Sequence, residues 1–120
     1  EPFLLVTSHR RENILNKLSL KNIVDLINSS DKKVVFPMGY ATQRQIKEFG
    51  LNLNDNVLVI DPIGYLEFIY LLKKSQYCIS DSGTVIEEAC ILNIPSIQMR
   101  YSTERPEVYE LVHQLNLIRL

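Results

Sequence analysis

Residues Cys78 to Pro95 read CISDSGTVIEEACILNIP, and this stretch decides the fold of the chain. The stretch begins with apolar and small residues, as a buried strand does, and then passes through a small-residue turn into a helical pattern that ends before Pro95. A strand that leads through a glycine-containing turn into a helix is typical of α/β proteins. The stretch therefore predicts a parallel sheet and a helix start that suits an anion.

The alternation of strand and helix continues on both sides of this stretch. Apolar runs of strand length predict five strands, Phe3–Ser8, Lys33–Met38, Asn56–Asp61, Tyr77–Ser80 and Ser96–Arg100. Helical patterns predict helices near Asn16–Ser29, Thr42–Phe49, Tyr65–Lys74 and Thr84–Leu92, with a further one over Pro106–Leu115. The helix Tyr65–Lys74 is expected to bury the face that carries Leu66, Ile69, Tyr70, Leu72 and Lys73. Together these elements predict an α/β fold, a doubly wound parallel sheet in one domain over residues 1–120.

Composition limits the function classes. The 120 residues are 46% hydrophobic and carry a net charge of −1, so no general attraction to nucleic acid or an anionic membrane is expected. No apolar run reaches the roughly 20 residues of a membrane span, and the first residues lack the basic part of a signal peptide. Cys78 and Cys90 lie in apolar segments without metal-site spacing, which predicts buried reduced thiols and a cytoplasmic protein. Because the chain starts directly at a strand and without Met, we expect it to be a domain of a longer protein.

The turn SDSGT and the two carboxylates after it form the main candidate site. Gly83 lets a ligand approach the backbone, and Ser82 and Thr84 add hydroxyl groups beside the free amides of the helix start, which suits a phosphate. Charge complementarity with the helix dipole would explain Glu87 and Glu88 equally well. Glu88, however, follows Thr84 by four residues and so lies on the ligand side, where it could accept two hydrogen bonds from a ribose diol. A simple capped helix remains the alternative for the whole turn.

The loops at the other strand ends hold further candidates. His9 follows the first strand beside Arg10, where neighbouring cations would depress the pKa of the imidazole and where a charged leaving group could be met. Arg105 can bind phosphate oxygens with two hydrogen bonds, although an ion pair with Glu104 or Glu107 is about equally compatible with the segment. Phe68 could be core or could stack on a base.

Taken together, these segments resemble a known family. The resemblance is carried by four segments in this order and at these spacings: HRREN at residues 9–13, DPIGYLEF at 61–68, SDSGTVIEEA at 80–89 and TERPE at 103–107. Over nearly all of its length, the sequence resembles the C-terminal domain of the non-hydrolysing UDP-N-acetylglucosamine 2-epimerases. The resemblance implies a Rossmann-like domain, the C-terminal half of a two-domain enzyme of the GT-B type with substrate between the domains. It also implies inversion at C2 of UDP-N-acetylglucosamine, by loss and re-addition of UDP.

The resemblance also implies roles for individual residues. His9 would be the active-site histidine near the departing UDP. Phe68 would contact the uracil, Glu88 the ribose and Arg105 a phosphate, while the diphosphate would be bound by Ser82, Gly83 and Thr84. Arg10 and Glu104 are further candidates. No metal or cofactor is implied. The carboxylates that handle the C2 proton would belong to an N-terminal domain absent from this chain, so the chain alone should bind nucleotide weakly without turnover. The full-length enzyme would be a homodimer.

Two positions depart from the family pattern. Thr84 stands where members often have a second glycine, and Ile63 where a polar residue is common. The first alternative is therefore a 2-epimerase of a related UDP-2-acetamido sugar, such as one in the UDP-N-acetyl-fucosamine pathway. Apart from these departures, the alternatives are a hydrolysing 2-epimerase, a GT-B glycosyltransferase, or a nucleotide-binding module without catalysis.

Overall fold

A computed structural model describes residues 2–8 and 16–99. Its centre is a single sheet of five parallel strands, β1 (Leu4–Thr7), β2 (Val34–Pro37), β3 (Val57–Ile60), β4 (Tyr77–Ser80) and β5 (Ser96–Gln98). The strand order is β3-β2-β1-β4-β5, so the chain moves outward from β1 to one side and then crosses back to start again on the other. This is the doubly wound, Rossmann-like order, and it confirms the predicted fold class.

Four helices connect the strands, α1 (Lys17–Asn28), α2 (Tyr40–Glu48), α3 (Tyr65–Lys74) and α4 (Gly83–Ile91). All four were predicted, with ends that differ by no more than two residues. The five strands are also confirmed: β4 has the predicted bounds, β1 to β3 are each shorter by one residue at both ends, and β5 ends two residues earlier than predicted. The predicted helix over Pro106–Leu115 lies outside the described residues.

The sheet is covered on both faces by separate hydrophobic cores. Alternate strand residues such as Leu4 and Phe36 pack with helices α1 and α2, while Leu5 and Cys78 pack with Leu72 and the buried residues of α4 on the opposite face. Strands buried on both sides explain why the apolar runs in the sequence are continuous rather than alternating. Among the described residues, no helix is long and apolar enough to cross a membrane.

The structure corrects two expectations about burial, and the first concerns helix α3. On the predicted face of α3, Leu66, Tyr70 and Lys73 are exposed to solvent. Leu72 is buried as predicted, and Ile69 is partly buried together with Phe68. Apolar residues surround most of this helix, so periodicity could not identify its buried face.

The second correction concerns the two cysteines. Cys78 is buried in the middle of β4 as expected, but Cys90 is exposed on α4. Burial raises the pKa of the Cys78 thiol from 9.0 to about 12, so this group is an inert part of the core. The expectation of two buried thiols therefore holds for one of them.

Asparagine side chains close the amino edge of the sheet. The Asn28 side chain donates to the carbonyl of Asn52 at 2.7 Å and accepts from the backbone N–H of Asn54 at 2.8 Å. The Asn56 amide donates to the carbonyls of Ser30 and Lys32 at 3.1 and 2.8 Å. The loops at this edge are thus fixed by hydrogen bonds within the chain.

Candidate functional site

A cavity of about 540 Å³ lies at the opposite edge of the sheet, where the strands end and the helices begin. We call it the carboxyl-edge cavity. It is lined by Thr7, Ser8, Pro37, Gly39, Ala41, Thr42, Pro62, Ile63, Gly64, Tyr65, Phe68, Ser82, Thr84, Val85 and Glu88. Its size is that of a small-molecule site, and its place beside β1 and β4, where the strand order reverses, is where doubly wound sheets bind ligands.

The start of α4 presents backbone donors at this cavity. Ser82 is the N-cap residue, and its hydroxyl oxygen accepts only from the backbone N–H of Val85, over a long 3.5 Å. Within residues 2–8 and 16–99, the backbone N–H groups of Gly83 and Thr84 have no acceptor. Two free donors at the positive end of a helix dipole form a position suited to an anion.

The start of α1 shows what a satisfied helix end looks like in the same molecule. There the side-chain oxygen of Asn16 accepts from the backbone N–H groups of both Leu18 and Ser19, at 2.9 and 3.2 Å. A residue that caps two amides leaves fewer donors for a ligand. Helices α2 and α3, which begin after Gly39 and Gly64, have no side-chain cap either, so the start of α4 is distinguished by free amides that lie beside the hydroxyls of Ser82 and Thr84.

A buried layer of hydrogen bonds supports the turn beneath the cavity. The hydroxyl of Thr7 donates to that of Ser80 at 2.7 Å, and the Ser80 oxygen also accepts from the backbone N–H of Ser82 at 3.0 Å. The Ser8 hydroxyl donates to the carboxylate of Asp81, which is completely buried, at 3.0 Å. These bonds tie the ends of β1 and β4 together and fix the turn from which α4 begins.

Gly83 is not required by the folded chain itself. Its φ angle lies outside the left-handed region, and a Cβ atom would meet nothing closer than the Nε2 of Gln98 at 3.8 Å, an ordinary contact. Gly83 lies between Ser82 and Thr84 but does not itself line the cavity. Its predicted role, close approach of a ligand to the backbone, therefore depends on the ligand and stays a prediction.

Glu88 lies one turn along α4, and its carboxylate reaches across the cavity wall to α3. Its Oε2 accepts a hydrogen bond from the Tyr65 hydroxyl at 2.5 Å. This hydrogen bond raises the pKa of Tyr65, and desolvation and the negative charge of Glu88 act in the same direction. Glu87 is exposed and lies beyond the first turn of α4, where the helix dipole has little effect, so the charge-complementarity explanation does not suit it.

Phe68 combines the two roles that the sequence left open. Its ring is half-buried and packs against the second hydrophobic core, beside Leu5 and Leu72, yet it also forms part of the wall of the carboxyl-edge cavity. An aromatic ring held by the core on one side can present its other side to a flat ligand.

The structure thus brings together Phe68, Ser82, Thr84 and Glu88 of the predicted site residues. His9, Arg10, Glu104 and Arg105 lie outside the described residues. The sequence analysis missed Tyr65 and the Ser8–Asp81 pair. Tyr65 belongs to a segment already singled out at a strand end, but its contact with Glu88 spans 23 positions and is visible only in the fold.

Charge in the cavity is sparse. Among the described residues that line it, Glu88 is the one acidic side chain, and neither Lys nor Arg occurs. The described part of the chain also contains no cluster of three or more His, Cys, Asp or Glu side chains that could hold a metal ion. An anion bound here would need cationic partners from elsewhere in the protein, since a helix dipole adds only about 0.3–1 kcal/mol per charge.

Comparison with known proteins gives consistent matches. Residues 1–115 match the family model described as UDP-N-acetylglucosamine 2-epimerase. The UDP-N-acetylglucosamine 2-epimerase of Methanocaldococcus jannaschii is 43% identical over 118 residues, which are 92% of this chain and 32% of that protein. The UDP-2,3-diacetamido-2,3-dideoxy-D-glucuronate 2-epimerase of Pseudomonas aeruginosa is 40% identical over 88% of this chain and 30% of that protein.

A solved structure agrees with these matches. The M. jannaschii UDP-GlcNAc 2-epimerase in complex with UDP-GlcNAc and UDP superposes with a TM-score of 0.78 and 36% identity, over 99% of this chain and 40% of that one. The chain spans about a third of the length of the relatives it matches.

Proposed function

The chain belongs to the UDP-N-acetylglucosamine 2-epimerase family, and from this premise we propose that its carboxyl-edge cavity binds the UDP part of a UDP-sugar. The observation that carries the proposal is that Thr84, whose backbone N–H is free, and Glu88 line one cavity, with the free N–H of Gly83 next to Thr84 in the chain. Donors at one point and an acceptor one helical turn away are what a diphosphate and a ribose need.

The three parts of UDP fit three parts of the site. The diphosphate would accept hydrogen bonds from the start of α4 and from the hydroxyls of Ser82 and Thr84. Glu88 follows Thr84 by four residues, or roughly 6 Å along the helix axis, and would accept from the ribose hydroxyls. Phe68 would then lie against the uracil.

The negative charge of the diphosphate requires cations that the described lining does not include. We propose that His9, Arg10 and Arg105 supply them, with His9 nearest the departing UDP. In the sequence these residues follow β1 and β5, two strands whose carboxyl ends lie at the same edge of the sheet as the cavity. Glu104, beside Arg105, stays a prediction.

The proposed reaction is a two-step inversion at C2 of the sugar. A base removes the C2 proton, the C1–O bond breaks with its electron pair moving to the β-phosphate oxygen of UDP, and a C1–C2 double bond forms. UDP then adds back to C1 while a proton is delivered to the other face of C2. We propose that the carboxylates for the proton transfers lie on an N-terminal domain, and that this chain is the C-terminal, UDP-binding half of a GT-B-type enzyme.

Solvent deuterium tests the reaction directly. The full-length protein is incubated with UDP-N-acetylglucosamine in deuterated water, and the recovered UDP-sugar is analysed by NMR. An epimerase of this mechanism places deuterium at C2, and His9→Ala should reduce that exchange by at least a hundredfold. Turnover without deuterium at C2 would contradict the proposal and favour a glycosyltransferase. Release of free sugar and UDP as the final products would indicate the hydrolysing reaction.

The identity of the sugar has a second candidate. Thr84 and Ile63, which depart from the family pattern, both line the cavity, and one relative of 40% identity is named for a different UDP-2-acetamido sugar. We therefore propose a related UDP-2-acetamido sugar as the alternative substrate. Comparing kcat/KM for UDP-N-acetylglucosamine and for such analogues in the same full-length protein would separate the two.

A further inference from the structure

The contact between Tyr65 and Glu88 has a geometry that the UDP site alone does not explain. Tyr65 is the first residue of α3 and Glu88 lies in the second turn of α4, so the hydrogen bond joins two helices across one wall of the cavity. Both side chains line the cavity. The Tyr65 side chain is 65% exposed.

A role in folding does not account for this contact. A hydrogen bond between two groups with access to water exchanges one set of partners for another and contributes little to stability. The ring of Tyr65 also belongs to neither hydrophobic core. What the bond does determine is the orientation of a carboxylate that would otherwise rotate freely.

The direction of the hydrogen bond is fixed by chemistry. An ionised carboxylate can only accept, so the phenol must donate its single proton to Oε2 of Glu88. The Oε1 atom then has no hydrogen-bond partner among residues 2–8 and 16–99. The Tyr65 oxygen, having donated its proton, keeps the capacity to accept. Two neighbouring acceptors therefore remain at the cavity wall, one on each side chain.

A vicinal diol offers two neighbouring hydroxyl donors, the complement of these two acceptors. We propose that Tyr65 is a positioning residue that orients Glu88 and shares with it the recognition of the two ribose hydroxyls of the bound nucleotide. The proposal rests on the proposed UDP site and deepens it, because it names what makes the site specific for a ribonucleotide.

The test compares two ligands that differ only in the diol. UDP and 2′,3′-dideoxy-UDP share the same base and diphosphate, and their dissociation constants for the chain are measured by calorimetry. The unaltered chain should prefer UDP by at least tenfold, as expected for hydrogen bonds to a charged group. Tyr65→Phe keeps the ring and removes only the hydroxyl, and should reduce the preference to about threefold while leaving the affinity for the dideoxy ligand unchanged.

Two further variants make the outcome decisive. Tyr70→Phe is a matched control, because Tyr70 is an exposed tyrosine of the same helix that does not line the cavity, and it should keep the full preference. Glu88→Gln should lose the preference almost completely, and the double variant with Tyr65→Phe should be no worse, since the Tyr65 oxygen accepts from the diol only beside the Glu88 carboxylate that it orients.

Each other outcome has a definite meaning. If Tyr65→Phe keeps the full preference while Glu88→Gln loses it, the role of Tyr65 is wrong and the UDP site stands. If Tyr65→Phe weakens both ligands equally, the hydroxyl acts on the cavity as a whole and the inference is also wrong. If the unaltered chain does not bind UDP at millimolar concentrations, the proposed binding site fails together with the inference.

Discussion

The two edges of the sheet both carry many polar side chains, but they use them in different ways. At the amino edge, the Asn28 side chain donates to one loop residue and accepts from another, and the Asn56 side chain donates to two carbonyl groups, so these amides bind partners within the chain. At the carboxyl edge, Gly83 and Thr84 leave backbone donors without acceptors among the described residues, and Glu88 keeps one oxygen free in the same sense. The difference teaches that a polar edge identifies a binding site only where its donors and acceptors are unpaired.

The largest expected effect is a loss of stability at alkaline pH, caused by the buried thiol of β4, the strand that connects the two edges. The pKa of Cys78 is about 12 in the folded chain against 9.0 for an ordinary thiol, so its contribution to stability is complete below pH 9 and is lost as the pH rises towards 12. At about 1.4 kcal/mol per pH unit, the total loss approaches 4 kcal/mol.

Urea unfolding at a series of pH values above 9 measures this loss. Because other groups also titrate there, the relevant quantity is the difference between the unaltered chain and Cys78→Ala, which should have a flatter alkaline limb. Cys90→Ala, which removes the exposed thiol, is the matched control and should follow the unaltered chain. Parallel curves for all three proteins would show that Cys78 is not buried as described.

At the amino edge, Asn56→Ala should destabilise the fold without affecting the ligand. The change removes two hydrogen bonds to backbone carbonyl groups, which should lower the free energy of unfolding by about 2 kcal/mol. Asn52→Ala is the control, because Asn52 contributes only its backbone carbonyl to the network. Denaturant unfolding and UDP titration are measured on both variants. Weaker UDP binding by Asn56→Ala would contradict the proposal that the amino edge contributes to stability and not to ligand binding.

The smallest effect compares the two helix starts. Asn16→Ala removes a cap that satisfies two amides and should cost about 1 kcal/mol of stability, with UDP binding unchanged. Ser82→Ala removes a single long cap bond, so its cost should be about half of that or less, but it should weaken UDP binding by about tenfold through the lost hydroxyl. If both variants lost the same stability and neither changed binding, the start of α4 would be an ordinary capped helix end.

Much of the fold was predictable from the sequence because its elements depend on local patterns. Apolar runs of strand length, most of them continuous, identified all five strands, and the helical pattern placed α1 within one residue of its observed ends. The buried face of α3 was not predictable, since apolar residues surround that helix and only tertiary contacts select Leu72 over Leu66. Cys90 was assigned to the core for the same reason.

The site was predictable in part. Glycine and hydroxyl residues at a strand end pointed to the start of α4, and the four-residue spacing from Thr84 pointed to Glu88. The buried Ser8–Asp81 hydrogen bond and the Tyr65–Glu88 contact join residues 73 and 23 positions apart, and such pairs become visible only when the topology brings the strand ends together. Residue types alone thus indicated the place of the site but not how its side chains are oriented.

The most direct test of the central claim is a titration of the ¹⁵N-labelled chain with UDP, followed by the chemical shifts of backbone amides at both edges. The amides of Gly83 and Thr84 should shift progressively at millimolar UDP, while those of Asn54 and Asn56 should remain unchanged. Uridine, which lacks the diphosphate, should move Gly83 and Thr84 far less. Equal shifts at both edges, or no shift at the start of α4, would contradict the account.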